Sequence, residues 1–370
     1  MRMISCALVA AVSVALVASD QTAQADPPPA QYLGQKLVPP TAKLDGTVIR
    51  GLSAISYDSA HQLYYVISDD QSQYNAARFY TVRIPLSGRG IDAVDFVTTR
   101  PWLDPAGRPF GAQNLDVDPP VLPPDPEGIA FDDSRQRLYW SSEGQWEPGR
   151  DGRPAFVLNP WVRIAGLDGS YQGEFTMPPG FSMSPAGNTG PKPNQSLEGL
   201  TVSPTGQFLF LALEDPRYED GPNPDHDHGA LTRITKFDID TKSPVAQYAY
   251  RIDPSGAPDT SGVSDMFALS DTTFLVIERG GPPSTVRLYR AEIGLATDVL
   301  QLPSLMGAPV TPMTKTLVAD LRTTPGLQPL DNIEGVTLGP NLPDGRQSIV
   351  LVSDDNFSKS QVTQFITFAM

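Results

Sequence analysis

Residues 331–356, DNIEGVTLGPNLPDGRQSIVLVSDDN, are the stretch that decides the fold. They predict a β-hairpin: an apolar strand at 336–338, a loop rich in Pro, Gly and Asn, and a second apolar strand at 348–352. An acidic residue, Glu334, precedes the first strand, and Asp354 and Asp355 follow the second. A carboxylate is therefore expected at each end of the hairpin.

The pattern occurs four more times, as LSAISYDSAHQLYYVISDD (52–70), PEGIAFDDSRQRLYWSSEG (126–144), LEGLTVSPTGQFLFLALED (197–215) and VSDMFALSDTTFLVIERG (263–280). The opening positions recur every 67 to 74 residues and are Ser53, Glu127, Glu198, Asp265 and Glu334. The acids that close the copies are Asp69, Glu143, Glu214, Glu278 and Asp354. A fixed period of this length indicates a repeat architecture, in which neighbouring units bury one another's apolar faces.

Two further β-like segments follow each of the first four copies, but only one, at 362–368, follows the last. Four strands per repeat, with a spare strand at 32–38, predict an all-β protein built as a β-propeller of four-stranded blades. We expect five blades, with the N-terminal strand closing the ring. Six blades are the alternative if residues 31–49 and 295–322 are better organised than they look.

The first 25 residues differ from the rest, because Arg2 precedes an apolar run at 7–18 and a small-residue cleavage site at 23–25. This pattern predicts a secretory signal peptide (1–25), followed by a Pro-rich leader (26–31) and one propeller domain (32–370). Cys6 lies in the signal, so the mature chain cannot form disulfides. We expect a secreted or periplasmic monomer without a membrane span.

The net charge of −15 argues against binding to nucleic acid or to an anionic membrane. An anionic substrate would need local basic residues or bound cations, for which Arg78, Arg279 and Lys359 are candidates near the closing acids. The chain has no G-x-S-x-G motif and no Walker or dinucleotide-binding loop. The histidines are His61, expected in an exposed turn, and the pair in the DHDH segment at 225–228, which is only weak evidence for a metal.

The innermost strand of each propeller blade lines a central channel, so the opening and closing acids should gather at one channel mouth. Carboxylates that converge there would repel one another unless a hard cation such as Ca²⁺ bound them through oxygen. The alternative is that these acids cap turns and remain solvated. The repetition of the acids at equivalent positions favours the shared site.

Several segments resemble the secreted phytase-like family, described by the esterase-like activity of phytase. They include DPEGIAFD, LYWSSEG, SLEGLTVSP, VRLYRAE, LDNIEGVTLGPNLPDGRQ and LVSDDNFSKSQVTQF, and the similarity extends over residues 32–370. The resemblance implies a β-propeller and calcium-assisted hydrolysis of phosphate esters. Ser53, which stands where most copies have an acid, departs from strict equivalence of the blades.

The resemblance implies an enzyme that acts on a small anionic ester with Ca²⁺ as its cofactor. The expected catalytic residues are Glu127, Glu198 and Glu334. The expected metal ligands are Asp69, Asp70, Glu143, Glu214, Glu278, Asp354 and Asp355, and the expected substrate contacts are Arg78, Arg279 and Lys359. The alternatives are a non-catalytic binding module with structural Ca²⁺, and a carboxylic ester or lactone hydrolase.

A sharper expectation concerns the first and last copies, which are neighbours in a closed ring. Asp69 and Asp70 should approach Asp354 and Asp355 at the channel mouth. Asn356 adds a neutral oxygen of the kind that Ca²⁺ accepts.

Overall fold

The structure is a computed structural model that describes residues 30–149, 155–256, 261–281 and 285–370. The predicted signal peptide lies outside these residues, as does most of the leader. In the described ranges the chain forms 26 strands and two 3-10 helices, Tyr218–Asp220 and Leu321–Thr323. Neither helix is long or apolar enough to cross a membrane.

Five four-stranded antiparallel sheets form the blades of a β-propeller, as predicted. The chain begins with β1 (Gln31–Val38) and a small hairpin of β2 (Lys43–Leu44) and β3 (Thr47–Val48). Blade 1 consists of β4 (Leu52–Asp58), β5 (Leu63–Ser68), β6 (Arg78–Arg83) and β9 (Asp95–Pro101), and the hairpin of β7 (Leu86–Ser87) and β8 (Gly90–Ile91) interrupts it. Blade 2 consists of β10 (Pro126–Asp132), β11 (Arg137–Ser142), β14 (Trp161–Ala165) and β15 (Tyr171–Glu174), with a hairpin of β12 (Gln145–Glu147) and β13 (Phe156–Leu158).

The remaining blades follow the same order from the inside outwards. Blade 3 consists of β16 (Leu197–Val202), β17 (Phe208–Leu213), β18 (Ala230–Asp238) and β19 (Ser243–Ile252). Blade 4 consists of β20 (Ser261–Ala268), β21 (Thr273–Gly280), β22 (Thr285–Glu292) and β23 (Thr314–Asp320). Blade 5 consists of β24 (Asn332–Asn341), β25 (Gln347–Asp354), β26 (Thr363–Ala369) and, as its outermost strand, β1.

The N-terminal strand closes the ring. β1 runs antiparallel to β26, from Gln31 opposite Ala369 to Val38 opposite Thr363. This pairing covers the exposed edge that a three-stranded last blade would leave. The alternative of six blades is wrong, because residues 31–49 add only the closing strand and a short hairpin, and residues 295–322 add only β23.

The apolar core is divided among the interfaces between blades. Leu52 and Val66 of blade 1 pack with Val350 and Val352 of blade 5, and all four are buried. A similar cluster lies at each of the other four interfaces. Each buried aliphatic side chain contributes about 1.5–3 kcal/mol, so the ring is stabilised by blade-to-blade packing.

The innermost strands approach one another so closely that glycine is required after Glu127 and after Glu198. A Cβ added to Gly128 would lie 2.6 Å from the Cβ atom of Leu200 in the next blade. A Cβ added to Gly199 would lie 2.8 Å from the backbone nitrogen of Met266. Any larger residue would push the blades apart at the level of the neighbouring acids.

The β-like segment at 156–164, which follows the second copy in the sequence, forms two strands rather than one. β13 pairs with β12 in a hairpin outside the blade, whereas β14 pairs with β11 inside it. Pro160 lies between them and cannot donate to a ladder, so the strand breaks there.

Candidate active site

Each innermost strand carries a β-bulge near its start. The register of β10 shifts between Pro126 and Ile129, and that of β16 shifts between Leu197 and Leu200. A bulge leaves one residue outside the ladder and re-aims its side chain. From blade 1 to blade 5, the residue just after the last paired position before the bulge is Ser53, Glu127, Glu198, Ser264 and Glu334.

The second strand of each blade supplies the other half of the site. On this strand, one residue pairs with the residue just before the bulge, and the next residue points to the site. In blade order these next residues are Asp69, Glu143, Glu214, Arg279 and Asp354. Four blades therefore bring a carboxylate to this position, and blade 4 brings a guanidinium.

The predicted equivalence was wrong by one residue in the fourth copy. Val263 pairs with Glu278, so Ser264 and Arg279 hold the positions that had been given to Asp265 and Glu278. A shift of one residue turns a strand side chain to the opposite face. Asp265 takes the position that glycine holds in blades 2, 3 and 5, and it accepts hydrogen bonds from the backbone nitrogens of Val336 and Met266, at 2.7 and 2.8 Å.

Glu278, expected as a metal ligand, faces the outer part of blade 4. Its carboxylate accepts hydrogen bonds from the Tyr250 hydroxyl at 2.8 Å and from the backbone nitrogen of Asp253 at 3.0 Å, and it pairs with Lys315. These partners give Glu278 a structural role in holding the outer strands of blades 3 and 4 together.

Two overlapping groups of carboxylates lie within ligating distance of one another. Oxygens of Asp125, Glu127 and Glu143 are mutually within 4.8 Å, as are oxygens of Glu143, Glu198 and Glu214. Glu143 belongs to both groups, and its Oε1 atom accepts a hydrogen bond from the backbone nitrogen of Ser196 at 2.5 Å. Blades 2 and 3 thus meet at one shared carboxylate.

Blades 5 and 1 extend the acidic surface. The charges of Glu334, Asp125, Asp70 and Asp355 all act on Asp69, and the charge of Asp69 acts on Asp354. Asn332 donates to Glu334 at 2.8 Å. Asp69 and Asp354, one from each acidic pair, are therefore close enough for their charges to interact.

The second acid of each pair is held by an arginine. Oδ2 of Asp70 pairs with Arg78 at 2.6 Å, and its two oxygens also accept three backbone hydrogen bonds from residues 73–75. Oδ2 of Asp355 pairs with Arg50 at 2.7 Å. Both carboxylates therefore stabilise the turns that follow them at the rim of the channel mouth.

The three candidate anion contacts lie in different environments. Arg78 is fully buried and donates to Asp70, Tyr80 and the Val48 carbonyl, so it supports the rim rather than facing the channel. Lys359 is exposed on the loop after β25. Arg279 alone among the three lies between channel acids, 3.2 Å from Glu334 and 3.4 Å from Glu214.

Burial is the main cause that raises the pKa of the channel acids. It raises the pKa of Asp125 to about 7, that of Glu214 to about 7 and that of Asp215 to about 8. Burial, with neighbouring carboxylates adding to it, also raises the pKa of Asp69, Glu127, Glu143, Glu198 and Asp354. For Glu334 burial again raises the pKa, and Arg279 opposes the rise. Without a compensating cation the cluster cannot hold all its charges at neutral pH.

The oxygen atoms gathered at this mouth are of the kind that ligate a hard divalent cation. In the described part of the chain, Oδ1 of Asp69, Oδ1 of Asp215 and Oε1 of Gln145 are buried and have no hydrogen-bond donor. Unsatisfied buried oxygens are costly, and together with the two carboxylate groups they supply the oxygen ligands that Ca²⁺ takes in sixes to eights.

Asp125 and Asp215 were missed in the sequence. Asp125 lies two residues before Glu127 in a D-P-E-G segment, and Asp215 follows Glu214 as Asp70 follows Asp69. The second of these signals was visible in the alignment of the copies, whereas the first has no counterpart in the other blades.

The histidines lie away from this cluster. His61 is exposed in the β4–β5 turn and contacts Asp58 at 2.8 Å. His226 and His228 are exposed and pair with Asp227 and Asp225, at 2.8 and 2.9 Å. This segment shows no third partner that would complete a metal site among the described residues.

Comparison with known proteins gives one family match. The model of the phytase-like family, described as esterase-like activity of phytase, matches residues 47–357. An uncharacterized secreted protein of Arthroderma benhamiae is 25% identical over 123 residues, which are 30% of this chain and 24% of that protein. The chain thus spans about a quarter of the length of this curated relative.

Solved structures are similar only at a distance. A periplasmic gluconolactonase from Pseudomonas aeruginosa is 12% identical over 88% of this chain and 90% of its own, with a TM-score of 0.35. An exo-β-1,3-galactanase from Phanerochaete chrysosporium is 12% identical over 90% of this chain and 64% of its own, with a TM-score of 0.45. At these scores the similarities carry no information about activity.

Proposed function

The chain belongs to the phytase-like family described by the esterase-like activity of phytase, and on that premise we propose that it is a Ca²⁺-dependent hydrolase of phosphoric monoesters. The family description supports hydrolysis of an ester. The phosphate ester and the calcium dependence are our extension, supported by the chemistry of the channel mouth.

One observation carries the proposal: carboxylates of blades 2 and 3 gather at one channel mouth, and the guanidinium of Arg279 joins this group to Glu334 of blade 5. Asp125, Glu127, Glu143, Glu198 and Glu214 lie within ligating distance in two groups that share Glu143. Arg279 lies beside them, with its side chain 19% exposed. An arrangement of turn caps would leave its carboxylates solvated, so the burial of Asp125, Glu127, Glu143 and Glu198 favours a site.

The residues divide into two roles. Asp69, Glu143, Glu214 and Asp354, with Asp125 and Asp215, would hold the cations through their carboxylate oxygens. Bound cations would screen the carboxylates, polarise the phosphoryl group and lower the pKa of a water. Arg279 would orient the anionic end of the ester, because its guanidinium is planar and permanently charged.

Glu127, Glu198 and Glu334 would position the attacking water. All three stand on equivalent bulges, so their carboxylates approach the same space from different blades. Asn332 fixes the orientation of Glu334 through a hydrogen bond to Oε1. A carboxylate in hydrogen-bond reach of a water can accept its proton during attack.

We further propose that residues 1–25 are a signal peptide and that the protein acts outside the cytoplasm. The secreted relative supports this, and so does the apolar run at 7–18. N-terminal sequencing of the exported protein would test it, with Asp26 expected as the first residue.

The test of activity uses purified protein with p-nitrophenyl phosphate, inositol hexakisphosphate and p-nitrophenyl acetate, each in Ca²⁺ and in chelator. We expect release of phosphate that depends on Ca²⁺. Hydrolysis of the acetate alone would replace the phosphoric ester with a carboxylic ester. A chelator-sensitive melting temperature without any turnover would indicate a binding module, and either outcome would overturn the proposal.

A further inference from the structure

A cleft opens between blades 1 and 5 on the face opposite to the acidic mouth. The β4–β5 and β24–β25 turns lie at this face, whereas the bulges that carry the channel acids lie at the other ends of β4 and β24. The cleft has a volume of about 470 Å³, and ligand pockets commonly measure roughly 300–1,000 Å³. None of its lining residues belongs to the acidic mouth.

Rings form most of the apolar surface of the cleft. Tyr57 and Tyr64 pack against each other, with ring centroids 4.5 Å apart and ring planes inclined by 33°. Pro85 of blade 1 and Pro340 and Pro343 of blade 5 add three further rings to the lining. Rigid rings pack against a ligand with little loss of side-chain entropy, so this surface suits a ligand that itself carries rings.

Free hydrogen-bond donors line the same cleft. The hydroxyl of Tyr64 is buried and has no hydrogen-bond partner among the described residues. The side chains of Gln62, Arg83 and Asn341 are exposed and form no hydrogen bond or ion pair with any described residue. A buried hydroxyl without a partner is costly, so the cleft favours a ligand that brings acceptors.

The backbone acceptors of the bordering loops are already used within the protein. The carbonyl of Pro340 accepts a hydrogen bond from the Ser348 hydroxyl at 2.6 Å. The carbonyl of Pro85 accepts one from the backbone nitrogen of Asp92 at 3.0 Å. A ligand rich in N–H groups would therefore find few backbone partners in this cleft.

The charges that line the cleft balance each other. Arg83 of β6 and Asp95 of β9 are exposed and stand directly opposite each other in the ladder of blade 1. The net charge of the whole chain, −15, opposes an anionic ligand. The cleft is thus suited to an uncharged ligand that carries rings and hydrogen-bond acceptors.

We propose that this cleft docks a proline-rich segment of a partner protein in the polyproline II conformation. Each proline of such a segment supplies a ring and a carbonyl acceptor, has no N–H and is uncharged. Its backbone carbonyls form no internal hydrogen bonds, and its preformed helix loses little entropy in a groove lined by aromatic residues. The interaction goes beyond the proposed hydrolysis and does not depend on it, because the two sites share no residue.

The test is calorimetric titration of the full chain with a blocked hexaproline peptide, in Ca²⁺ and in chelator. We expect binding of equal affinity in both conditions. Tyr57→Ala should weaken binding roughly three- to tenfold, because one ring contact is lost, and Tyr57→Phe should retain it. Asn341→Asp, which exchanges an exposed amide donor for a carboxylate, should also weaken binding and decides the matter if Tyr57→Ala does not fold. Tyr74→Ala, at a tyrosine that is 58% exposed beside the acidic mouth, is the matched control and should bind as the wild type does.

A blocked hexa-alanine peptide has an N–H at every residue and no ring, and it should bind at least roughly tenfold more weakly than hexaproline. Equal affinity for the two peptides would overturn the proposal, as would no binding of hexaproline to the wild type. Wild-type affinity in both Tyr57→Ala and Asn341→Asp would remove the interaction from this cleft. If N-acetylproline amide bound as tightly as hexaproline, the cleft would be a small-molecule site. Self-association in light scattering that hexaproline reverses would replace the partner protein with a second copy of this chain.

Discussion

The Nη2 atom of Arg279 lies 3.2 Å from Oε1 of Glu334, an ion pair that joins blade 4 to blade 5 at the channel mouth. The same nitrogen lies 3.4 Å from Glu214 of blade 3. Arg279 stands where every other blade has a carboxylate. Its positive charge therefore offsets part of the charge of the channel acids, as a bound cation would. The acids of blades 1 and 2, across the mouth, have no such arginine beside them among the described residues of the channel and are left for a cation.

Replacing Arg279 with Gln should lower the stability of the metal-free protein and raise its affinity for Ca²⁺. The metal-free protein should lose about 1–3 kcal/mol of unfolding free energy, because Glu334 and Glu214 lose a partly buried partner. The affinity for Ca²⁺ should rise by roughly tenfold or more, since a competing positive charge is removed. Urea unfolding in chelator and calorimetric titration with Ca²⁺ measure the two effects. Arg163→Gln, whose guanidinium lies 4.0 Å from the ring centroid of Trp161 outside the mouth, is the matched control. An unchanged Ca²⁺ affinity would show that Arg279 and the cation act independently.

Glu143 and Glu278 offer a direct comparison, since both close a repeat in the sequence. Glu143→Gln should weaken Ca²⁺ binding by roughly a hundredfold, because both carboxylate groups lose their shared member. Glu278→Gln should leave Ca²⁺ binding unchanged and lower the unfolding free energy by about 1–3 kcal/mol, because its bonds to Lys315 and Tyr250 weaken. Calorimetric titration and urea unfolding distinguish the two variants. Equal loss of Ca²⁺ affinity in both would contradict the shifted register of blade 4.

The metal-free protein should become less stable as the pH rises. The pKa is raised by burial to about 7 for Asp125 and Glu214 and to about 8 for Asp215. The folded state therefore binds more protons than the unfolded state between the ordinary carboxyl pKa, near 4, and these values. The stability that these groups contribute is present below pH 4 and is lost as the pH rises through about 7 to 8.

Urea unfolding at pH 5 and pH 8 in chelator checks this sign, and the unfolding free energy should be lower at pH 8 by a few kcal/mol. Millimolar Ca²⁺ should remove most of the difference, because it neutralises the ionised cluster. The double variant Asp125→Asn, Glu214→Gln should show a smaller dependence. A metal-free protein that is more stable at pH 8 would mean that these carboxylates remain charged without a cation.

Asp265 tests the structural role of an acid that looks like a site residue in the sequence. Asp265→Ala would leave the backbone nitrogens of Val336 and Met266 without their acceptor at the junction of blades 4 and 5. The unfolding free energy should fall by about 2–4 kcal/mol, while Ca²⁺ affinity stays within twofold. Asp354→Ala is the matched variant with the reverse expectation: weaker Ca²⁺ binding and activity with the fold retained. Loss of Ca²⁺ affinity in Asp265→Ala would return this acid to the site.

The repeat could be predicted because its signal is local. Each hairpin carries its own apolar strands and terminal acids, so five blades and a closing strand follow from counting copies along the chain. The position of Glu127, Glu198 and Glu334 at one mouth follows as well, because equivalent residues of a ring of blades lie at the same level. The family resemblance rests on the same local motifs.

Only the tertiary structure decided which acids face the channel. In blade 4 one residue of register exchanges Glu278 for Arg279, and side chains that alternate with a period of two then change faces. Asp355 looks like a ligand in the sequence, but Arg50, 305 residues away along the chain, occupies one of its oxygens. Asp125 has no counterpart in the repeat and joins the cluster only through the fold. The sequence determines the repeating strands and their acids, whereas the charge balance of the site depends on contacts between distant blades, which no local pattern records.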